Sequence, residues 1–220
     1  MLKVGLIGCG RISKKHSTIL GGNLVNGIGL VAVCDIVIQK ANKVAKKYNV
    51  RAYKSMNEMV QKEEIDLILI LTESGNHSKN VIELSKYGKD IIVEKPMALS
   101  YKDAESMLKA CKLNGVKLFV IKQNRFNNAV AYLKQAIDNK RLGKLFLGTV
   151  RVRWSRDQNY YDQDSWRGTY EMDGGVISNQ ASHHLDLLQW LVGPIDTVFA
   201  KSKTALAKIE AEDTAVVILK

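Results

Sequence analysis

The sequence predicts an α/β fold in two parts: a doubly wound parallel sheet over residues 1–121, and an α+β domain on a mostly antiparallel sheet over residues 122–220. Three observations lead there. Up to residue 121, short apolar runs alternate with amphipathic helical segments, the rhythm of a parallel sheet. The run from Leu67 to Leu71 is apolar without a break, as a central strand covered on both faces requires. Later in the chain, long alternating runs lack intervening helices, the habit of antiparallel strands.

The elements follow in order. Residues 2–7 form a strand that runs into glycine, and 11–20 the first helix. Residues 30–34 form the next strand, ending at Asp35, and 39–48 carry Ala41, Val44, Ala45 and Tyr48 at helical spacing. Strand 66–71 is followed by helix 76–87, stopped at Gly88, and by strand 91–93, which ends at Glu94-Lys95-Pro96. Ser100 caps a helix that closes at Asn114-Gly115, and 116–121 is the last strand of the first part. In the second part we read a helix over 127–139 and a long strand over 145–154, where Val150, Val152 and Trp154 alternate with Arg151 and Arg153. A polar, aromatic loop covers 157–173, a helix runs from about residue 175 to 192 and stops at Gly193-Pro194, and 198–205 and 214–219 are strands. The chain ends inside that last apolar strand with no stop signal, which points to a truncated chain.

Composition narrows the class. With 220 residues, 46% hydrophobic and 25% charged, the chain is ordinary globular material able to bury a core without staples. Three widely spaced cysteines (Cys9, Cys34, Cys111) make neither a disulfide framework nor a metal pair and suggest a reducing, cytoplasmic setting. No apolar run approaches the ~18 residues of a membrane span. The net charge of +11 comes mostly from single lysines spread over helices such as Lys40, Lys43, Lys46 and Lys47, with no interleaving of basic and aromatic residues as a nucleic-acid platform would have. Nucleic acid and membrane are therefore not expected partners.

Three clusters could carry chemistry. Gly8-Cys9-Gly10-Arg11-Ile12-Ser13 links the first strand to the first helix: Gly8 permits the tight turn, and Gly10 lets a pyrophosphate approach the positive helix end. Asp35, at the end of the second strand, can accept bonds from a ribose diol and repels a 2′-phosphate, which favours NAD over NADP. Alone, such a pattern is also what a glycine turn beside a surface aspartate gives. Glu94-Lys95 lies at a strand's carboxyl end, where open α/β sheets bind ligands; an ordinary surface ion pair would look the same. In the third cluster Asn179, His183 and Asp186 fall at i, i+4 and i+7 and so share one helix face. An imidazole titrating near neutrality suits removal of an alcohol proton, and an amide one turn earlier can orient substrate. His183 and His184 point about 100° apart, which argues against a metal, and His184 reads as a packed helix residue.

Gly8-x-Gly10 with His16, Glu94-Lys95-Pro96, and a Gly-Gly run before a helical x₃-His-x-x-Asp together resemble the glucose-fructose oxidoreductase/inositol dehydrogenase/MocA family along the whole chain. The resemblance implies an N-terminal Rossmann domain binding NAD and a C-terminal domain with a large open sheet that mediates homodimer or homotetramer formation. It assigns Gly8, Gly10, Arg11 and Ile12 to the pyrophosphate loop and Asp35 to the adenosine ribose. Thr72 and His77 would line the cofactor, although Thr72-Glu73-Ser74 replaces the family's Thr-Pro-Asn. Lys95 would touch substrate and nicotinamide ribose beside a cis bond to Pro96, with Glu94 and Gln123 contributing to the cofactor site, and His183 would be the catalytic histidine.

Many sugar and inositol dehydrogenases of the family carry aspartate where this chain has Asn179. Asn-x₃-His resembles the subgroup that oxidises the 3-hydroxyl of UDP-N-acetylglucosaminuronate or UDP-N-acetylglucosamine for surface-polysaccharide assembly. The run from Tyr160 to Gly168 and Gln123-Asn-Arg125-Phe resemble that subgroup as well. Arg125, Arg153 and Arg167 could neutralise a diphosphate or a uronate, and Tyr160, Tyr161 and Trp166 could stack on sugar or base. The expected function is an NAD-dependent sugar-nucleotide 3-dehydrogenase. The competitors are a dehydrogenase of free sugars or inositol, and a non-catalytic NAD sensor.

Overall fold

A computed structural model describes residues 1–220, which divide into two compact units, Met1–Ile121 and Lys122–Lys220. In the first unit β1 (Leu2–Ile7), α1 (Ser13–Gly21), β2 (Ile28–Cys34), α2 (Ile38–Tyr48), β3 (Arg51–Tyr53) and α3 (Met56–Lys62) come first. Then follow β4 (Leu67–Ile70), α4 (His77–Ser85), β5 (Asp90–Val93), α5 (Tyr101–Leu113) and β6 (Leu118–Val120). All six strands are parallel, in the order β3-β2-β1-β4-β5-β6. The order reverses between β1 and β4, and at their carboxyl ends an open α/β sheet leaves its binding crevice.

The two-residue period of the strands sorts side chains into two cores. Val4, Leu6, Leu67 and Leu69 face one way and pack with Leu20 of α1 and Ala41 and Ala45 of α2. Ile7, Ile68, Ile70, Ile91 and Val93 face the other way, against Met59, Val81, Leu84 and Met107 from α3, α4 and α5. Burial on both faces is why these strands read as continuous apolar runs. Ser100 caps α5 as expected, its Oγ accepting from Asp103 N at 3.1 Å.

Sequence reasoning missed β3 and α3. Three residues are too few to show a period, and β3 forms because β2 offers it an edge, continued by Asp35 N donating to Tyr53 O at 3.1 Å.

The second unit holds α6 (Asn128–Asp138), the single-turn α7 (Gln158–Tyr161), α8 (Ser182–Val192), and the antiparallel pair β7 (Val198–Lys203) and β8 (Thr214–Leu219). A 3₁₀ turn, Gln123–Phe126, precedes α6. Two expectations are corrected here. Residues 145–154 form no strand: their alternation writes a two-faced ribbon, but no ladder partner for it lies within the 220 residues, and Phe146, Leu147 and Trp154 stay exposed. The sheet of this unit accordingly has two strands rather than many. The helical stretch that ends in α8 begins with a wide π-helical turn, Ile177–Ala181. No helix is long and apolar enough to cross a membrane.

Candidate active site

The first group of candidate residues gathers at the carboxyl ends of β1, β2, β4 and β5. Gly8 turns the chain out of β1 with φ +92°, and a Cβ there would sit 2.7 Å from the Leu71 carbonyl carbon and oxygen. Gly10 is different: a Cβ would meet no protein atom within 4 Å, so packing does not explain the missing side chain. Ser13 Oγ donates to Gly10 O at 2.6 Å and closes the loop onto α1. Asp35 holds the same loop from the neighbouring strand. Its Oδ2 accepts from Cys9 N at 2.7 Å and its Oδ1 from Val37 N at 2.8 Å. Arg11 and Ile12 are on the exposed side of the loop.

At the end of β5, Glu94 is buried and its Oε1 lies 3.0 Å from His16 Nε2, while its Oε2 accepts from Lys95 N at 2.9 Å. Burial pushes the Glu94 carboxyl up, but His16 and the Lys95 amide outweigh it and hold the group below the usual glutamate range. Glu94 therefore stays ionised beside Lys95, whose side chain is half-buried; the Lys95–Pro96 peptide is cis. His77 is fully buried, with Nδ1 2.7 Å from Pro96 O and Nε2 3.0 Å from Thr72 O. Desolvation lowers its pKa against those two carbonyls. A neutral ring donates to one of them and a protonated ring to both, and His77 sits between the ends of β4 and β5. Thr72 Oγ1 accepts from Asn80 at 3.0 Å.

The second group is built around the helical stretch of residues 175–192. Its start is closed by a distant acid: Val176 N donates to Glu212 O at 2.8 Å and Ile177 N to Glu212 Oε1 at 3.2 Å. A Cβ on Gly175 would stand 2.2 Å from that carboxylate, which is why glycine is needed there, at φ +75°. Asp173, almost fully buried, accepts from Gly168 N at 2.8 Å and from the Asn179 amide nitrogen. That bond fixes which way the Asn179 amide points. His183 Nε2 lies 3.5 Å from Gln123 Nε2. Asp186 takes a two-pronged bond from Arg125, Nε to Oδ2 at 2.8 Å and Nη2 to Oδ1 at 2.7 Å, with Lys122 Nζ at 3.5 Å.

Comparison with known proteins then decides the family. Residues 2–122 match the model of an oxidoreductase family with an NAD-binding Rossmann fold, and residues 130–220 match the C-terminal domain model of the same GFO/IDH/MocA group. The chain belongs to the Gfo/Idh/MocA family. Among solved structures, the WlbA dehydrogenase from Bordetella pertussis, in complex with NADH and UDP-GlcNAcA, is 41% identical with a TM-score of 0.96 over 100% of this chain and 67% of its own. The Chromobacterium violaceum WlbA, with the same two ligands, is 39% identical with a TM-score of 0.96, over 100% of this chain and 63% of its own. Among curated relatives, the myo-inositol 2-dehydrogenase of Thermotoga maritima is 28% identical over 100% of this chain and 65% of its own length. Against the curated relatives the chain spans between about two fifths and two thirds of their length.

NAD is the cofactor of this Gfo/Idh/MocA protein, and the first unit's geometry suits it. Gly10 leaves open space where a side chain would stand, at the start of α1, whose backbone N–H groups favour an anion. Asp35 is half-buried at the tip of β2, the position for a ribose acceptor. His77, fully buried, braces the loop that Thr72 opens instead of lining it.

The residues of the second unit depart from the one-face reading. That reading assumed a uniform 3.6-residue turn, and the π turn breaks it between Asn179 and His183; His183 and Asp186 keep their shared face within α8. Arg125 spends its fork on Asp186 and lies over Trp190 at 5.3 Å, which makes it a brace between the 3₁₀ turn and α8. Arg167 is likewise tied, Nε to Asp164 at 2.9 Å and Nη1 to the Tyr160 hydroxyl at 2.9 Å. Arg153 lies on the exposed 151–155 stretch, and Trp166 lies under Arg167 with its ring centroid 4.5 Å from Cζ. Sequence reasoning missed Asp173 and Glu212. An acid directly before Gly174-Gly175 was the visible signal for Asp173; nothing marked Glu212.

The Arg125–Asp186 brace has a measurable consequence. Burial pushes the Asp186 carboxyl up, but Arg125 and Lys122 overcome this and hold it below the usual aspartate range. A depressed folded pKa gives stability that is present above the unfolded value of 3.8 and is lost as pH falls through the folded value. Asp186→Asn should therefore lower the melting temperature at neutral pH and make the decline between pH 5 and pH 2 shallower than in the parent. Thermal unfolding across that range checks both, and equal acid limbs would show that the brace adds no stability.

Proposed function

We propose that the protein is an NAD-dependent dehydrogenase that oxidises the 3-hydroxyl of a UDP-N-acetylamino sugar, UDP-N-acetylglucosaminuronate or UDP-N-acetylglucosamine, to the 3-keto sugar. The observation that carries it is the likeness along the whole chain, at about two fifths identity, to two dehydrogenases crystallised with NADH and UDP-GlcNAcA. Asn179, in place of the aspartate of free-sugar enzymes, supports the same reading. In it Gly8, Gly10, Arg11, Ile12, Asp35, Thr72, Glu94 and Gln123 serve the cofactor, Trp166 and Arg153 the substrate, and Arg167 holds Tyr160 in place beside it.

When bound, NAD supplies the hydride acceptor. His183 takes the proton of the 3-hydroxyl, and Lys95 donates a bond to the same oxygen, easing the negative charge that develops there. Asn179, its amide set by Asp173, orients the sugar. Three buried thiols fit a reducing, cytoplasmic setting. Exposed Val198, Phe199, Val216 and Ile218 on β7 and β8 fit assembly of two or four copies through this sheet. A UDP-sugar deuterated at C3 tests the chemistry: label should appear in the NADH formed. NADH without label would place the oxidation at another carbon.

A second reading has its own support. The Thermotoga maritima relative is a myo-inositol 2-dehydrogenase, so a free polyol is the competing substrate. It requires no diphosphate site in the second unit.

A further inference from the structure

We propose that Arg156, a residue given no role above, is the principal contact for the substrate's diphosphate, held ready by a stack of alternating guanidinium groups and aromatic rings. The proposal rests on the nucleotide-sugar reading and deepens it. Arg156 Cζ lies 4.6 Å from the ring centroid of Trp154 and 4.9 Å from that of Tyr160. Arg167 Cζ lies 4.7 Å from the same Tyr160 ring and 4.5 Å from Trp166. Two cations thus share one ring, yet their donors are used differently. Arg167 bonds Asp164 and the Tyr160 hydroxyl, so it fixes the ring. Arg156 makes no ion pair, and its Nε is shut off from solvent with no acceptor.

The buried Nε lies out of a ligand's reach, so recognition falls to the two Nη groups. Trp154 and Tyr160 flank the guanidinium and leave those donors, which no carboxylate engages, to meet an oxyanion. The local charge favours an anion as well: Arg151, Arg153 and Arg156 fall within six residues, and none of them is paired with a carboxylate. A diphosphate presents several oxygens and more than one charge to such a set, where a carboxylate presents a single charge. Arg156 therefore binds, Arg167 and Tyr160 position, and discrimination between nucleotide sugars and free polyols lies in residues 151–167.

The test is calorimetric titration of full-length protein with UDP, a probe with the diphosphate but no hexose or hexuronate. Arg156→Gln should weaken UDP binding tenfold or more and raise KM for the UDP-sugar while kcat changes less than twofold. NADH affinity should be unchanged, which shows that the variant is folded. Arg156→Lys should recover only part of the loss, since a point charge lacks the planar fork. UDP affinity within twofold of the parent in Arg156→Gln, with the parent binding UDP and turning over the UDP-sugar, overturns this assignment and leaves the proposed function standing. Loss of affinity for UDP-N-acetylglucosaminuronate but not for UDP would assign Arg156 to the carboxylate and also overturn it. A parent that binds no UDP and oxidises only free polyols defeats both readings.

Discussion

Lys95→Met and His183→Ala should each lower kcat by about a hundredfold or more while NADH still binds. Positioned proton transfer contributes roughly 10²–10⁴-fold, and removing one donor to a developing oxyanion costs about 10²–10³-fold. The variants should not simply unfold. Lys95 is half-buried at a strand end, and the buried framework beside it is the Glu94–His16 bond and the His77 tie, both intact in Lys95→Met. His183 is half-buried on α8, which is anchored to the 3₁₀ turn by Asp186 and preceded by a turn that Glu212 closes at Val176 and Ile177. If the two act on one hydroxyl, the double variant should lose little more than the worse single one, because groups that act as a unit are not additive. Stopped-flow and steady-state rates with NADH titrations check this. Near-parental turnover in either variant removes that residue from the chemistry.

The second large effect is expected at Gly8→Ala. The new methyl would meet backbone rather than a flexible side chain, 2.7 Å from Leu71 C and O and 2.9 Å from Thr72 N, at a φ of +92° that L residues rarely adopt. The only relief is to move the end of β1 away from β4, which also shifts Thr72 and the Cys9–Asp35 bond. A cost of about 2–4 kcal/mol follows from strain and overpacking together, and NAD binding should be lost even in protein that stays folded. Chemical denaturation and NADH fluorescence read the two effects separately. Gly10→Ala is the control: it meets no protein atom, so stability should hold while cofactor affinity falls. Unchanged NADH affinity in Gly10→Ala would mean that no phosphate approaches that loop.

The first unit was legible in the sequence because a sheet covered on both faces writes itself as apolar runs, and because the glycine loop, Asp35 and Glu94-Lys95 all stand at strand ends. What stayed hidden is what depends on partners. β3 exists through β2's edge, and residues 145–154 carry a strand's alternation without a strand's neighbour. The His16–Glu94 and Arg125–Asp186 bonds join residues 78 and 61 positions apart, a pairing that topology sets and spacing does not. The π turn at Ile177–Ala181 is made of ordinary helix residues, so a regular helical wheel was the natural reading and misplaced Asn179 against His183. Arg125 and Arg167 looked like anion binders by type. Asp186 and Asp164 had already claimed them, whereas Arg156 was passed over although its surroundings leave its donors uncommitted.

The most direct measurement of the central claim is NADH formation by full-length protein with NAD and, in parallel, UDP-N-acetylglucosaminuronate, UDP-N-acetylglucosamine, free sugars and myo-inositol. Enzyme concentrations near stoichiometric guard against an unfavourable equilibrium. The account predicts absorbance at 340 nm with a UDP-sugar and none with free polyols. NADH from inositol or a free sugar alone would contradict it, and so would silence with every substrate from protein that binds NAD.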